Sequence, residues 1–210
     1  MNHVQLSPQI RHAPLYLTLL GPPQLTWTDN PVPLARRQMR ALFFRLACMK
    51  RPTPRDQLCF LFWPDIADAA ARRNLTVLLN QLRQALPIPD VVQTQGDLVL
   101  LDPIYLQTDT VIFMEAFTQA AQGGQLAAML DAIELYQGPF LDGVALPACP
   151  EFELWVAGER QAWERRYLDA LALLVNDAAD CGAYAQAIAL AQRALAVDPL
   201  AEEMHRQLMT

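Results

Sequence analysis

The start of the chain carries two short apolar patterns that are typical of β-strands. Residues 15–20 form a nearly continuous apolar run, and residues 24–27 alternate between polar and apolar positions. Gly21-Pro22-Pro23 separates the two runs and predicts a turn, and Asp29-Asn30-Pro31 predicts another after the second run. Helical periodicity then predicts three helices, at about residues 36–49, 54–63 and 68–86.

Local signals mark the ends of the second predicted helix. Thr53 is a favourable N-cap, and Pro54 suits the first helical position because no backbone N–H partner is needed there. Asp56 favours the positive end of the helix dipole, and Pro64 stops the helix. The sequence therefore predicts a short helix between two longer ones.

The third predicted helix has the clearest two-faced pattern in the chain. One stripe is apolar and predicts the face that packs on the core: Ala71, Leu75, Leu78, Leu79, Leu82 and Leu86. The opposite side carries Arg, Asn, Gln and Val rather than the Glu and Lys that usually solvate helices: Arg73, Val77, Asn80 and Gln84, flanked by Asn74, Thr76 and Gln81.

Two β-prone runs joined around a glycine follow the third helix. Residues 91–94 and 97–101 are rich in Val and Leu, and Gln95-Gly96 lies between them, a pattern that predicts a hairpin. The order of strands, three helices and hairpin predicts an α+β N-terminal winged helix-turn-helix domain. We assign this domain to residues 1–104.

The second half is predicted to be all-α. Helices are expected at about residues 113–122, 126–136, 151–181 and 184–197. Residues 183–199 match the second half of a tetratricopeptide repeat, in which small residues let paired helices pack closely. The sequence thus predicts an all-α tetratricopeptide-like helical-repeat domain at residues 105–210.

The last predicted repeat is interpreted as truncated, because the chain stops inside its next helix. An unfinished repeat leaves one apolar face uncovered, and Leu195, Met204 and Leu208 are the candidates for that face. Such a face would allow the chain to form a homodimer.

Net charge is divided unequally between the two halves. Residues 1–103 carry 11 Lys+Arg and 7 Asp+Glu, and residues 104–210 carry 5 and 15, so the balances are +4 and −10. A basic half suits a polyanion such as nucleic acid, whereas an acidic half would be repelled by it. No apolar run approaches the roughly 18 residues of a membrane span, so no membrane contact is expected.

The residue types that many enzymes need are scarce in this chain. Ser7 is the only serine and Lys50 the only lysine, and neither lies in a nucleophile elbow or a P-loop. The four cysteines are far apart and lack a ligand-like spacing to histidine, which argues against a zinc site. We expect no enzymatic activity and no cofactor, and free thiols are typical of a reducing cytoplasm.

The outer face of the third helix has two interpretations. It is either the polar side of an ordinary core helix or a surface that reads base edges. Arg pairs with guanine, Asn or Gln with adenine, and an aliphatic group contacts the thymine methyl. The hairpin after this helix favours base reading. The candidates are Arg73, Asn74, Val77, Asn80, Gln81 and Gln84.

Basic side chains around the three helices are candidates for phosphate contacts, which position a protein on DNA without reading sequence. They are Arg36, Arg37, Arg40, Lys50, Arg51, Arg55 and Arg72. Only part of this set is expected to touch DNA, and the rest to aid solubility. In the hairpin, which is the wing, Gln93, Thr94 and Gln95 can hydrogen-bond, whereas Asp97 would repel phosphate.

The order and spacing of these pieces resemble the SARP-type bacterial regulators, which join a response-regulator-type winged helix to a bacterial transcriptional activator domain. The matching segments of the first half are Leu19-Leu20-Gly21-Pro22 and residues 32–42, 56–65 and 71–86. Those of the second half are Asp109, Phe113, residues 135–141, Trp155 and Arg160. The resemblance covers nearly the whole chain.

This resemblance implies sequence-specific binding to double-stranded promoter DNA, often at repeated sites, and recruitment of RNA polymerase by a cytoplasmic, nucleoid-associated activator. The wing departs from the family pattern, since Asp97 follows Gly96 where family wings usually carry Gly-Tyr. The alternative is a protein-interaction scaffold whose winged helix binds DNA weakly or not at all. The overall acidity and the wing motivate that alternative, and a transcription regulator is the leading interpretation.

Overall fold

The computed structural model of the chain describes residues 13–49, 51–124 and 126–199. Its strands are β1 (Leu15–Thr18), β2 (Gln24–Trp27), β3 (Asn30–Pro31), β4 (Thr53–Pro54), β5 (Val92–Gln95), β6 (Leu98–Leu101) and β7 (Leu106–Thr108). Its α-helices are α1 (Arg37–Ala47), α2 (Arg55–Phe62), α3 (Asp68–Ala85), α4 (Asp109–Ala121), α5 (Ala127–Ile133), α6 (Pro150–Asp180) and α7 (Tyr184–Val197).

A four-stranded sheet, in the order β3-β2-β1-β7, contains the N-terminal strands. β1 runs antiparallel to β2 and parallel to β7. The predicted turn at Asp29-Asn30-Pro31 is misplaced: the chain turns at Thr28 and Asp29, whose φ angles are 48° and 67°, and Asn30–Pro31 is strand β3. β7 is absent from the sequence prediction because three residues are too few to show a strand pattern.

A three-stranded sheet, in the order β4-β6-β5, contains the wing. β5 and β6 form the predicted hairpin, and its two-residue turn is Gly96-Asp97, with Gly96 at a φ of 59°. Thr53 is not the N-cap of α2, because it is buried in β4, and α2 begins at Arg55. Pairing with β6 keeps β4 extended, so a long-range strand ladder overrides the local capping signal.

Helices α1 and α2 each pack against α3, and all three contact the wing sheet. The apolar stripe of α3 is buried as predicted, with Leu75, Leu79 and Leu82 completely inaccessible to solvent. On α1, Leu42 and Phe43 are equally buried. Because each large apolar side chain contributes roughly 1.5–3 kcal/mol when buried, this stripe determines which face of α3 points outward.

The second half of the described chain is helical, as predicted. α4 begins at Asp109, earlier than the predicted residue 113, because Thr108 caps it: its Oγ1 accepts the N–H of Val111 at 3.2 Å. The hydroxyl satisfies one of the N–H groups that a helix start leaves without an intrahelical partner.

α6 and α7 form a helix pair of the tetratricopeptide type. α6 is 31 residues long, and α7 packs along it through the buried small residues Ala187, Ala191 and Ala194. Leu195 is half-buried, whereas Met204 and Leu208 lie outside the described residues. Across the described part of the chain, no helix combines the length and the apolar character that a bilayer span requires.

The carboxylate of Asp109 joins the first sheet to α4. Its Oδ2 accepts the N–H groups of Leu19 and Leu20, at 2.7 and 2.9 Å, and its Oδ1 accepts the N–H of Thr110 at 2.8 Å. Burial raises the pKa of Asp109 to about 7, although the amide donors act in the opposite direction. The side chain therefore holds the chain just after β1 against the first turn of α4.

A loop of the second half lies against the same stretch of the first sheet. Leu141 and Asp142 donate their N–H groups to the carbonyls of Leu19 and Gly21, at 2.8 and 3.0 Å. Gly21 has a φ of 126°, and a Cβ at this position would lie 3.1 Å from the Cβ of Gln137. A glycine is therefore required for the two backbones to approach this closely.

Two further contacts fasten the halves together. The guanidinium of Arg160, on α6, donates to the carbonyls of Phe140 and Leu141, at 3.0 and 2.9 Å, and so holds the loop in place. Phe62 of α2 packs against Phe152 of α6, with ring centroids 5.7 Å apart. One continuous hydrophobic core consequently runs through both halves of the described chain.

Asp109→Ala is expected to lower the free energy of unfolding by about 1–3 kcal/mol, because the buried N–H groups of Leu19 and Leu20 lose their acceptor. Asp109→Asn should also destabilise, since its NH₂ group would face one of these donors. Urea unfolding followed by circular dichroism measures both effects. Asp169→Ala, at an exposed position of α6, is the control, and an equal loss in control and test would contradict the assigned role.

Candidate nucleic-acid interface

The outward face of α3 presents polar side chains together with one aliphatic side chain. Five residues of the predicted base-reading set are exposed there: Arg73, Asn74, Val77, Asn80 and Gln84. Val77 is 54% exposed, although its neighbours on the opposite face are fully buried. The structure thus brings these five side chains onto one accessible surface.

Arginines connect α3 to the two helices before it. The Nη1 of Arg36, directly before α1, donates to the Oε1 of Gln81 at 2.8 Å, and Gln81 is half-buried. The Nη1 of Arg55, the first residue of α2, donates to the Oγ1 of Thr76 at 3.3 Å. Two predicted phosphate-binding residues therefore lie beside the outward face of α3.

Arg72 connects α3 to α2 and to the tip of the wing. Its Nη1 donates to the Oδ1 of Asp97 at 2.8 Å, and its Nη2 donates to the Oδ1 of Asp56 at 2.5 Å. The hydrogen bond to Asp97, followed by the charge of Asp56, raises the pKa of Arg72 above its ordinary value. Exposed ion pairs contribute little to stability. The pair with Asp97 nevertheless positions the wing tip, and the two pairs together neutralise the charge of Arg72.

Arg83 makes contacts that its position in the sequence does not predict. Its Nε donates to the carbonyl of Val92 at 3.0 Å, and its Nη atoms donate to Asn80 and Thr94 at 3.3 and 3.4 Å. Arg83 therefore ties α3 to β5 and orients the Asn80 amide. The only signal in the sequence is its spacing of three residues from Asn80, which places the two side chains on neighbouring turns.

The predicted wing residues are placed differently from one another. Gln93 is half-buried, and its Nε2 donates to the Oδ2 of Asp102 at 2.7 Å. Thr94 and Gln95 are exposed near the tip of the hairpin. Of these three side chains, Gln95 alone makes no hydrogen bond to another described residue, since the Oγ1 of Thr94 accepts from Arg83.

The remaining predicted phosphate contacts also differ in their surroundings. Arg40 is half-buried and donates to the carbonyl of Leu34 at 3.2 Å. Arg37 and Arg51 are exposed, and the side chain of neither bonds to another described residue. Lys50 lies outside the described residues.

This surface is suited to recognition by hydrogen bonds and charge. The guanidinium and amide groups on α3 are the groups that match the donor and acceptor pattern of base edges, and the arginines around α3 carry the charge that phosphates attract. No group of three or more His, Cys, Asp or Glu side chains that could hold a metal ion occurs in the described ranges.

Comparison with known proteins agrees with the fold and with the domain order. The family of the bacterial transcriptional activator domain matches residues 112–210. The solved structure of Mycobacterium tuberculosis EmbR, in complex with a low-affinity phosphopeptide, has a similar fold, with a TM-score of 0.67 and 21% sequence identity. The match covers 93% of this chain and 53% of the EmbR chain, so this chain spans about half the length of EmbR. The curated protein sequences give no match.

These findings confirm the predicted fold class, since the likeness to EmbR extends over both the winged helix and the helices that follow it. The activator-domain match begins inside α4 and continues to the last residue. Residues 112–210 thus match the family of the bacterial transcriptional activator domain and follow an N-terminal winged helix, an order that supports the predicted resemblance to the SARP-type bacterial transcriptional regulators.

Proposed function

We propose that this protein binds specific sequences in double-stranded DNA by inserting α3 into the major groove, and that it activates transcription from those sites. The observation that carries the proposal is the exposed face of α3, where Arg73, Val77 and Asn80 lie on successive turns. Arg pairs in a bidentate manner with guanine, Asn with adenine, and Val contacts the thymine methyl. Asn74, Gln81 and Gln84 complete the proposed base-reading set.

Phosphate contacts would come first from the arginines that are least engaged within the protein. The side chains of Arg37 and Arg51 have no bond to another described residue, and the side chain of Arg55 makes one long hydrogen bond. Arg36, Arg40 and Arg72 have internal partners, which a phosphate would have to displace. Lys50 stays in the proposed set on the sequence alone.

The acidic half is proposed to contact proteins rather than DNA. Residues 104–210 carry a charge balance of −10, which opposes contact with phosphates. Helix pairs such as α6 and α7 build surfaces suited to peptides and helices. RNA polymerase is the partner that activation requires, and a second copy of the chain would suit repeated promoter sites. This function places the protein in the cytoplasm, on the nucleoid.

A protein-interaction scaffold is the second candidate, and the ion pairs of Arg72 favour it. Asp56 and Asp97 place two negative charges beside α3, where phosphates would approach. A mobility-shift assay on the DNA upstream of the gene, at low and at moderate salt, separates the two candidates. Retention of one DNA region against excess random duplex supports the regulator, and equal, salt-sensitive binding to every duplex supports the scaffold.

Arg73→Ala and Asn80→Ala are each expected to weaken specific DNA binding by about 1–3 kcal/mol, because each removes a contact to base edges. Base preference should relax at one position of the site in each variant. The measurement is a competition mobility shift with singly substituted duplexes, and Arg165→Ala, at an exposed position of α6, is the matched control. Equal losses on specific and random DNA would rule out base reading by these residues.

Arg37→Ala and Arg55→Ala are expected to weaken binding to all duplexes, because phosphates have the same charge in every sequence. Each variant should lower the slope of log affinity against log salt by roughly one unit or less. Affinities measured over a range of salt concentrations give the slopes, with Arg165→Ala as the control again. A slope equal to that of the unsubstituted chain would mean that the arginine does not reach a phosphate.

Asp97→Asn is expected to tighten binding to specific and random DNA alike, because it removes a negative charge from the wing tip and releases one bond of Arg72. Fluorescence anisotropy with labelled duplexes measures the affinities, and Asp131→Asn, at an exposed position of α5, is the control for net charge. Weaker binding by Asp97→Asn would show instead that anchoring the wing outweighs repulsion of phosphate.

A further inference from the structure

We infer that a cavity between the winged helix and the activator domain binds a small organic molecule that carries one negative charge on an apolar body. The cavity has a volume of ≈ 820 Å³. Its walls are the end of α1, the chain from the end of β6 to β7, one face of α4 and one face of α6. This inference concerns a site away from α3 and does not depend on DNA binding.

The size and lining of the cavity suit a small molecule. Sites for such ligands occupy roughly 300–1,000 Å³, lie preferentially between domains and are mostly apolar with a few polar groups. Leu46, Leu101, Leu106, Met114 and Trp163 contribute apolar surface from both halves of the chain. A ligand here would therefore exchange water for apolar contact on several sides at once.

One polar group in the wall lacks a partner. The Nη1 of Arg166 is buried and makes no hydrogen bond to any described residue. The guanidinium carbon lies 4.7 Å from the centroid of the Trp163 ring, which holds it in place. Because a buried donor without an acceptor costs free energy, a ligand oxygen at this position would be favoured, and a charged one most of all.

The other charged groups of the cavity limit the ligand to one negative charge. The carboxylates of Asp102, Glu115 and Glu159 lie in the same walls and oppose further anionic groups. The Oε1 of Glu159 accepts the indole N–H of Trp155 at 3.3 Å, so this carboxylate is held on the wall. Burial also raises the pKa of the Cys48 thiol, which adds no charge at neutral pH. A carboxylate or sulfonate on an aromatic or aliphatic body fits, whereas a polyphosphate does not.

An occupant of this cavity would contact both halves of the protein. Leu101 is the last residue of β6 and Cys48 follows α1, whereas Met114 and Arg166 belong to α4 and α6. A ligand that binds only this folded arrangement stabilises it in proportion to its concentration above the dissociation constant. The cavity therefore has the position of an effector site.

A pair of fluorescent probes tests the inference on the whole chain. 8-Anilinonaphthalene-1-sulfonate carries one sulfonate on an apolar body, and N-phenyl-1-naphthylamine has the same body without the sulfonate. The sulfonate should bind with a stoichiometry of one and about tenfold more tightly than the neutral probe, as a charge-assisted hydrogen bond implies. This comparison needs no substitution, so it does not depend on the folding of any variant.

Substitutions locate the bound probe. Arg166→Gln should lower the affinity for the sulfonate about tenfold and leave the neutral probe unaffected. Met114→Trp should narrow the cavity and weaken the binding of both probes, whereas Arg165→Gln, at the exposed neighbouring position, should change the affinity for neither. Circular dichroism checks that each variant is folded. Equal affinity for the two probes, an unchanged sulfonate affinity in Arg166→Gln or Met114→Trp, or no stoichiometric binding would each overturn the inference.

Discussion

The carboxylate of Asp109 accepts the N–H groups of Leu19 and Leu20, and the relative placement of the two halves depends on this buried contact. It fixes the first turn of α4 against the end of β1, while β7 pairs with β1 just before it. The loop that pairs with Gly21 then lies on the same stretch of backbone. Residues 1–104 and 105–210 remain our proposed domains, although they share one hydrophobic core.

The shared core connects α6 to the exposed face of α3. Packing of Phe62 against Phe152 connects α2 to α6, so the helices that support α3 rest directly on the activator domain. Arg55 and Arg72 then connect α2 to α3, and Arg83 connects α3 to the wing. A shift of α6 would therefore reach α3 through packed side chains rather than through a flexible linker. The cavity beside α1 and α4 lies along the same joint.

Sequence periodicity was sufficient to predict the elements whose hydrophobic pattern is local and extends over many residues. The buried stripe of α3, and hence its exposed face with Arg73 and Asn80, follows from eighteen residues of helical spacing. The wing hairpin follows from two apolar runs around Gly96. Periodicity could not predict features that depend on residues far apart in the sequence. β4 replaces the predicted N-cap at Thr53 because its partner strand is β6, far along the chain.

The same limit applies to the candidate site. Residue types on α3 indicate base reading, but nothing local shows that Arg72 bonds to Asp97 or that Arg83 reaches the carbonyl of Val92. These partners are set by how the wing folds back on α3, which is a property of the packed domain. The orphaned Nη1 of Arg166 is likewise visible only once α4 and α6 are in place.

The central claim is that the outward face of α3 reads a DNA sequence, and the most direct test is the structure of this chain bound to a duplex that it enriches from a random library. We expect α3 in the major groove, with the Arg73 guanidinium and the Asn80 amide within hydrogen-bond distance of base edges. Failure to enrich any sequence, or a complex in which α3 lies outside the groove, would contradict it.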